Sequence, residues 1–420
     1  MLDFFPDTAA VESGTLTIGG CAAPDLAAEF GTPLVVYCGE TVRARASAFR
    51  TAVPDALVVF GTKAFPNVAL LRLLAEEGIG ADVSTLGELS FAARAGVPAE
   101  RLVVHGNNKS DDELRAAVEM RARLVVLDSL EEVGRAADVG VDEALLRVTP
   151  GIEAETHEAI RTGHRGSKFG LAGDDALTAI NQARESGLRL AGLHVHVGSD
   201  LRELTALRTT VEWLGSFAAT CRERVGWTAE VVDLGGGLGA PTISGESVPS
   251  IQEYCAALTE AVATTWDVHH LSRPSLIFEP GRALLANAGL TLYTVGVVKR
   301  TTASLTYVAV DGGMSDNPRP QLYGARHTAM LANRAAEPTA RRYAVCGKHC
   351  EAGDVLITEV DLPEPKRGDL LAVPATGAYT LGMASNYNGV PRPAAVLVRD
   401  GYARLIRRRE TIDDLLGFET

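Results

Sequence analysis

The chain has 420 residues, of which 46% are hydrophobic and 22% charged, the balance of an ordinary globular protein with room for one large domain and a smaller one. Its net charge of −13 argues against a nucleic-acid backbone binder, which needs clustered cations. No stretch approaches the roughly eighteen uninterrupted apolar residues of a membrane span, and residues 1–7 carry no basic segment ahead of an apolar run, so neither a membrane protein nor a secreted one is expected.

Two apolar runs near the N-terminus, 15–18 and 33–37, read as strands. From residue 57 to 278 the chain then alternates short apolar runs with amphipathic helical stretches. The strands are predicted at 57–60, 79–83, 102–105, 124–128, 144–148, 190–197, 230–234 and 275–279. The helices fall between them at 68–77, 86–95, 111–121, 130–138, 174–186, 201–224 and 251–268. Strand and helix in strict alternation predict a (β/α)8 barrel of the TIM type, with a doubly wound open sheet as the competing layout. After residue 283 the texture changes to strands joined by turns, at 290–299, 305–310, 343–346, 370–373, 395–398 and 403–407. That predicts a mainly antiparallel β-domain, to which the N-terminal strands add. The expected division is a barrel over 38–284 and a β-domain built from 1–37 and 285–420.

Chemistry in such barrels gathers at the C-terminal ends of the strands. Read in order, those positions carry Lys63, Asp82, His105, Asp128, Arg147, His196, the Gly235-Gly236-Gly237 turn and Glu279. Lys63 ends a buried strand, where desolvation favours a neutral, nucleophilic amine. The triglycine turn and Gly281-Arg282 stand on neighbouring strand ends, where backbone amides and a guanidinium can hold one phosphate. Without GxGxxG spacing or an opening helix, the glycines do not indicate a dinucleotide fold. Glu279 can face a ring nitrogen, or pair at the surface with Arg282. His194 and His196 alternate along one strand face, which first suggests a metal, but no nearby acid completes a ligand set. Cys346 and Cys350 likewise lack a second ligand cluster, so no metal is expected and the six cysteines read as reduced thiols in a cytoplasmic protein. Lysine, phosphate cup, acid for a ring nitrogen and a flat imidazole together are what pyridoxal phosphate requires.

The segments Thr62-Lys63-Ala64, Gly80-Ala81-Asp82-Val83, Gly87-Glu88-Leu89, His105-Gly106-Asn107-Asn108-Lys109, His196-Val197-Gly198-Ser199, Gly235-Gly236-Gly237, Glu279-Pro280-Gly281-Arg282, Arg319-Pro320-Gln321-Leu322-Tyr323, Cys350-Glu351 and Gly377-Ala378-Tyr379 follow one another in this order. In them the chain resembles the fold-type III pyridoxal-phosphate decarboxylases, and within these the diaminopimelate decarboxylase family. The resemblance runs from Thr62 to Asn388. It implies that Lys63 holds the cofactor, His196 stacks on its ring and Glu279 pairs with the pyridine nitrogen. Asp82 belongs to the same cofactor site. It further implies that Ser199, Gly236, Gly237, Gly281, Arg282 and Tyr379 surround the phosphate. Arg282, Arg319 and Tyr323, with Tyr379, would take the substrate's carboxylates, Glu351 its distal amine, and Cys350, supplied by the partner subunit of a homodimer, would deliver a proton. The implied reaction is decarboxylation of meso-2,6-diaminopimelate to L-lysine and CO2, the last step of lysine biosynthesis. The alternative is a same-fold decarboxylase of another amino acid, such as ornithine or lysine. Thr156-His157-Glu158, Thr162-Gly163 and Ser167-Lys168-Phe169-Gly170 point to the diaminopimelate branch. Phe60-Gly61-Thr62, Lys348-His349 and Ala352 depart from the family pattern.

Overall fold

The computed structural model describes residues 2–150 and 166–420. The segment 156–163, with Thr156, His157, Glu158, Thr162 and Gly163, lies outside the described residues. The chain divides into two compact units, one of Arg45–Gly239 with Val248–Ala283, the other of Met1–Ala44, Ala240–Ser247 and Leu284–Thr420.

In the first unit eight strands close into a parallel barrel, which excludes the open doubly wound sheet. In chain order they are Leu57–Gly61, Gly80–Val83, Leu102–Val104, Leu124–Leu127, Glu143–Arg147, Arg189–His194, Val231–Asp233 and Ser275–Phe278. The ring is sealed by pairing the last with the first, Ile277 against Leu57 and Phe278 against Val58. Such strands read as unbroken apolar runs because both faces are covered. Val59, Val103, Leu124, Val126, Leu145, Ala191, Val231 and Ile277 form one buried cluster, the layered interior of a small barrel.

The helices begin where the sequence offers caps. Asn67 accepts from the Ala69 and Leu70 amides, and Ser110 and Ser250 form reciprocal capping boxes with Glu113 and Glu253. Gly96, Gly140, Gly187 and Gly226 end helices in the left-handed conformation that glycine adopts without penalty. The helix predicted at 201–224 starts later, as Thr205–Val225, because Leu201 is drawn into backbone bonding with Gly237 and Gly239.

In the second unit a nine-stranded sheet runs Val355–Leu362, Arg341–Cys346, Thr306–Val310, Gly289–Arg300, Leu34–Cys38, Ala394–Arg399 and Tyr402–Arg407, with Leu370–Pro374 and Met330–Leu331 branching from it. Most pairings are antiparallel, while Thr306–Val310 with Arg341–Cys346 and Leu34–Cys38 with Ala394–Arg399 are parallel. Both N-terminal runs belong to this unit as expected: the run at 33–37 joins the large sheet, and Thr15–Ile18 is the middle strand of a separate three-stranded sheet. It buries Leu16 and Ile18 in the same apolar cluster as Leu34, Val36, Leu290 and Val396, so shared burial gave it the pattern of a sheet member.

Candidate active site

The C-terminal rim of the barrel collects the predicted groups of the first unit. A single turn, Thr62–Ala64, follows the first strand and carries Lys63. Lys63 Nζ lies 3.9 Å from Asp82 Oδ2, with the lysine side chain 52% exposed and Asp82 3%. The expectation that burial desolvates Lys63 is therefore corrected: in this chain its head is half exposed and faces a carboxylate. Burial raises the Asp82 carboxyl above its ordinary value, against the pull of His105.

Glu279 is buried beneath the rim. Its Oε1 is 2.6 Å from His105 Nε2, and its Oε2 is 3.5 Å from His194 Nε2. The surface pairing with Arg282 does not occur. Arg282 instead donates to Ser199 Oγ at 3.1 Å and stands 3.6 Å from Asp200. Burial alone would raise the Glu279 carboxyl, but the imidazoles of His105 and His194 outweigh it and hold it well below the usual range. Burial takes His194 down to about 3. Burial, and then the neighbouring Glu279, push the Asp233 carboxyl well above its ordinary value.

Donor atoms of His105, His194, Asp233 and Glu279 lie within 4.8 Å of one another. This corrects the expectation that no acid stands beside the histidine pair: the chain brings two acids from neighbouring strands, and His194 turns into the barrel with them. Asp233 was missed by sequence reasoning. An ionisable residue set inside the apolar run 230–234, two residues ahead of the triglycine, was the available signal.

His196 behaves differently from His194. Its Nδ1 accepts the Gly236 amide at 3.3 Å, and burial followed by the charges of Lys63 and Arg147 depresses it well below its ordinary value. The result is a neutral ring with one tautomer favoured by the backbone. The Gly235–Gly237 turn is packed so closely that side chains are excluded. A Cβ on Gly236 would meet the Glu279 carbonyl oxygen at 2.2 Å, and one on Gly237 the Gly198 oxygen at 2.7 Å. Gly281 is buried beside them. Asp128 and Arg147 form a separate rim group: they are 3.7 Å apart, the guanidinium lies 4.3 Å over the Phe169 ring, and Asp128 Oδ1 accepts the Gly170 amide at 2.6 Å.

The residues fit pyridoxal phosphate. His194 Nδ1 and Asp233 Oδ2 are buried without hydrogen-bond partners among the described residues, polar groups in the dry site next to Glu279 that a bound group bearing a nitrogen could meet. The glycine turn leaves the bare backbone that a phosphate needs.

The remaining predicted residues belong to the second unit. Arg319 and Tyr323 begin and end the short helix Arg319–Tyr323, the buried guanidinium lying 5.6 Å from the Tyr323 ring. Cys350 and Glu351 are exposed on a loop. Tyr379 has φ +58, a conformation a bulky side chain holds only where its surroundings enforce it.

The sequence family described as pyridoxal-dependent decarboxylase, pyridoxal binding domain, matches residues 39–286. Barrel, rim and match together define a pyridoxal-dependent decarboxylase, with pyridoxal phosphate as its cofactor. The chain is 46% identical over 415 residues to the diaminopimelate decarboxylase of Actinosynnema pretiosum subsp. auranticum, covering 97% of this chain and 93% of that protein. It is 42% identical over 420 residues to that of Bacillus subtilis (strain 168), covering 97% and 96%. A crystal structure of diaminopimelate decarboxylase from M. jannaschii in co-complex with L-lysine superposes with a TM-score of 0.92 at 32% identity, over 99% of this chain and 98% of that one. The chain belongs to the diaminopimelate decarboxylase family.

Proposed function

We propose that the protein decarboxylates meso-2,6-diaminopimelate, releasing CO2 and leaving L-lysine, as the last step of lysine biosynthesis. The observation that carries this reading is the buried Glu279, kept anionic beside His105 and His194 at the rim that also bears Lys63 and the triglycine turn. Full-length similarity to named diaminopimelate decarboxylases supports the choice of substrate.

Bound pyridoxal phosphate supplies a carbonyl carbon for an amine and a protonated ring that accepts the electron pair left as CO2 departs. Lys63 would hold the cofactor through that carbon, with Asp82 3.9 Å from Nζ placed to orient the amine. Glu279 holds a proton on the ring nitrogen, because an anion fixed in a dry site stabilises the neighbouring cation strongly. His196, pinned by the Gly236 amide, would stack on the cofactor ring. The amides of Gly236, Gly237 and Gly281, with Ser199 Oγ, Arg282 and the Tyr379 hydroxyl, bind the phosphate. Arg282, Arg319, Tyr323 and Tyr379 bind the substrate's carboxylates through charge-assisted hydrogen bonds, and Glu351 takes the distal ammonium. Cys350 Sγ donates a proton to the α-carbon.

The protein works as a cytoplasmic homodimer in this reading, with Cys350 and Glu351 delivered to the partner's barrel. Their exposure on a loop and six free cysteines support it. Replacing Lys63 with Ala tests the assignment: it should abolish both the visible absorption of the bound cofactor and CO2 release. A Lys63→Ala protein that retained both would overturn it.

A further inference from the structure

Lys348-His349, a departure from the family pattern, sits directly before Cys350. His349 is fully buried, although the next two residues are exposed. Its Nδ1 lies 2.6 Å from Asp354 Oδ2, and the same oxygen accepts the His349 backbone N–H at 2.9 Å. The other oxygen, Oδ1, accepts the Met314 amide at 2.7 Å. Around this carboxylate the backbone closes on itself: Gly347 N–H donates to Asp354 O at 2.9 Å, Asp354 N–H to Glu351 O at 3.1 Å, and Lys348 N–H to Gly312 O at 3.0 Å. A Cβ on Gly347 would stand 2.1 Å from Asp354 Oδ2, so the carboxylate fills the space of a missing side chain.

The same loop is fastened at three further points. Gln321, on the helix Arg319–Tyr323, donates from Nε2 to the carbonyls of Gly353 and Val355, both at 3.0 Å. The Cys350 amide donates to Asn388 Oδ1 at 2.9 Å. The His349 ring stacks on Tyr387 with centroids 5.8 Å apart. One buried carboxylate therefore ties the loop bearing Cys350 and Glu351 to the turn at 312–317 that leads into Arg319.

We propose that Asp354 and His349 are a positioning pair for the proton donor. They fasten the exposed Cys350–Glu351 tip to the turn at 312–317, so that the proton source enters the partner's barrel from a fixed position. A buried carboxylate must be met by donors, and His349 supplies one from its side chain and one from its backbone. An exposed loop tip without this anchor samples many positions, and misplacement by about 1 Å can cost on the order of a hundred-fold in rate. The proposal rests on the reading of Cys350 as the proton donor.

The test is a double-mutant cycle. His349→Phe keeps the ring against Tyr387 and removes the Nδ1 donor; His349→Asn puts an amide N–H back near that position. Each is made in the wild-type and Cys350→Ala proteins, and kcat and KM are measured with meso-diaminopimelate. We expect His349→Phe to lower kcat about ten-fold with an intact Cys350 and less than about two-fold in Cys350→Ala, because groups that act through one another are not additive. His349→Asn should recover most of the loss. Asn388→Gly, which keeps the left-handed backbone at φ +56 but removes the Cys350 amide's acceptor, should show the same dependence on Cys350, and it carries the test if His349→Phe does not fold. Equal losses in both backgrounds would make the pair a general structural feature and overturn the proposal while leaving the donor assignment standing. A Cys350→Ala protein with wild-type kcat would overturn both.

Discussion

Gly236→Ala is the sharpest perturbation of the cofactor site, because its consequence follows from distances alone. The new methyl would lie 2.2 Å from the Glu279 carbonyl oxygen and 3.1 Å from its carbon, whereas ordinary contact begins at 3.4 Å. The two strand ends must part by about 1.2 Å, the difference between those distances. That strains the 2.8 Å bond from Glu279 N–H to Gly235 O towards breaking. Overpacking of this kind costs about 1–3 kcal/mol and a lost backbone hydrogen bond about 1 kcal/mol more. For a domain of about 150–250 residues the sum lowers Tm by roughly 5–15 °C. The same movement displaces the Glu279 carboxylate from the ring nitrogen it is proposed to face, and a shift of that size costs on the order of a hundred-fold in kcat. Calorimetry of the apoprotein, cofactor titration by fluorescence and CO2 release would measure the three effects separately. A Gly236→Ala protein with wild-type Tm and wild-type cofactor affinity would refute the close approach of these strand ends.

Glu88 accepts the Ser84 amide at 2.7 Å, and burial, then Asp82, raises its carboxyl from 4.5 to about 7. A folded value above the unfolded one means that ionised Glu88 opposes folding, so stability falls as pH rises from about 4.5 to about 7 and stays lower above it. Glu88→Gln, which keeps the acceptor, should therefore stabilise the protein by up to about 3 kcal/mol at pH 8 and by little at pH 4.5; equal effects in urea melts at both pH values would contradict this. Lys109 is wholly buried, with Nζ 3.0 Å from Glu132 and 2.6 Å from the Gly106 and Val126 carbonyls. Lys109→Met strands the Glu132 carboxylate and should cost about 3–5 kcal/mol, part of which Lys109→Met/Glu132→Gln recovers; a double variant no more stable than the single one would show that the ion pair is not the cause.

The barrel was legible because each of its strands is an apolar run covered on both faces, and because Asn67, Thr85, Ser110, Ser129 and Ser250 mark helix starts. The second unit was less legible. Strand Val355–Leu362 escaped prediction because its pairing with Arg341–Cys346 is interrupted by irregularities that break the two-residue alternation. Helix Gly39–Ala52 escaped because its buried face is the narrow stripe Val42, Ala46 and Phe49, set among arginines and small residues. At the site, residue types at strand ends pointed to Lys63, Asp82, His105, His196 and Glu279. What they could not reveal was partnership. Whether Glu279 meets Arg282 or a pair of histidines depends on which neighbouring strand end turns inward, and that is decided by barrel closure. Lys109 with Glu132 and His349 with Asp354 were hidden for the same reason, since a charged residue in a loop or first helical turn looks solvated until its partner is seen.

The most direct measurement is CO2 release by the purified protein with pyridoxal phosphate, supplied separately with meso-diaminopimelate, ornithine and lysine. Release from meso-diaminopimelate with L-lysine as the product is expected, and none above background from the other two. Release from ornithine or lysine in preference to diaminopimelate would leave the barrel and its cofactor site in place and contradict the assigned substrate.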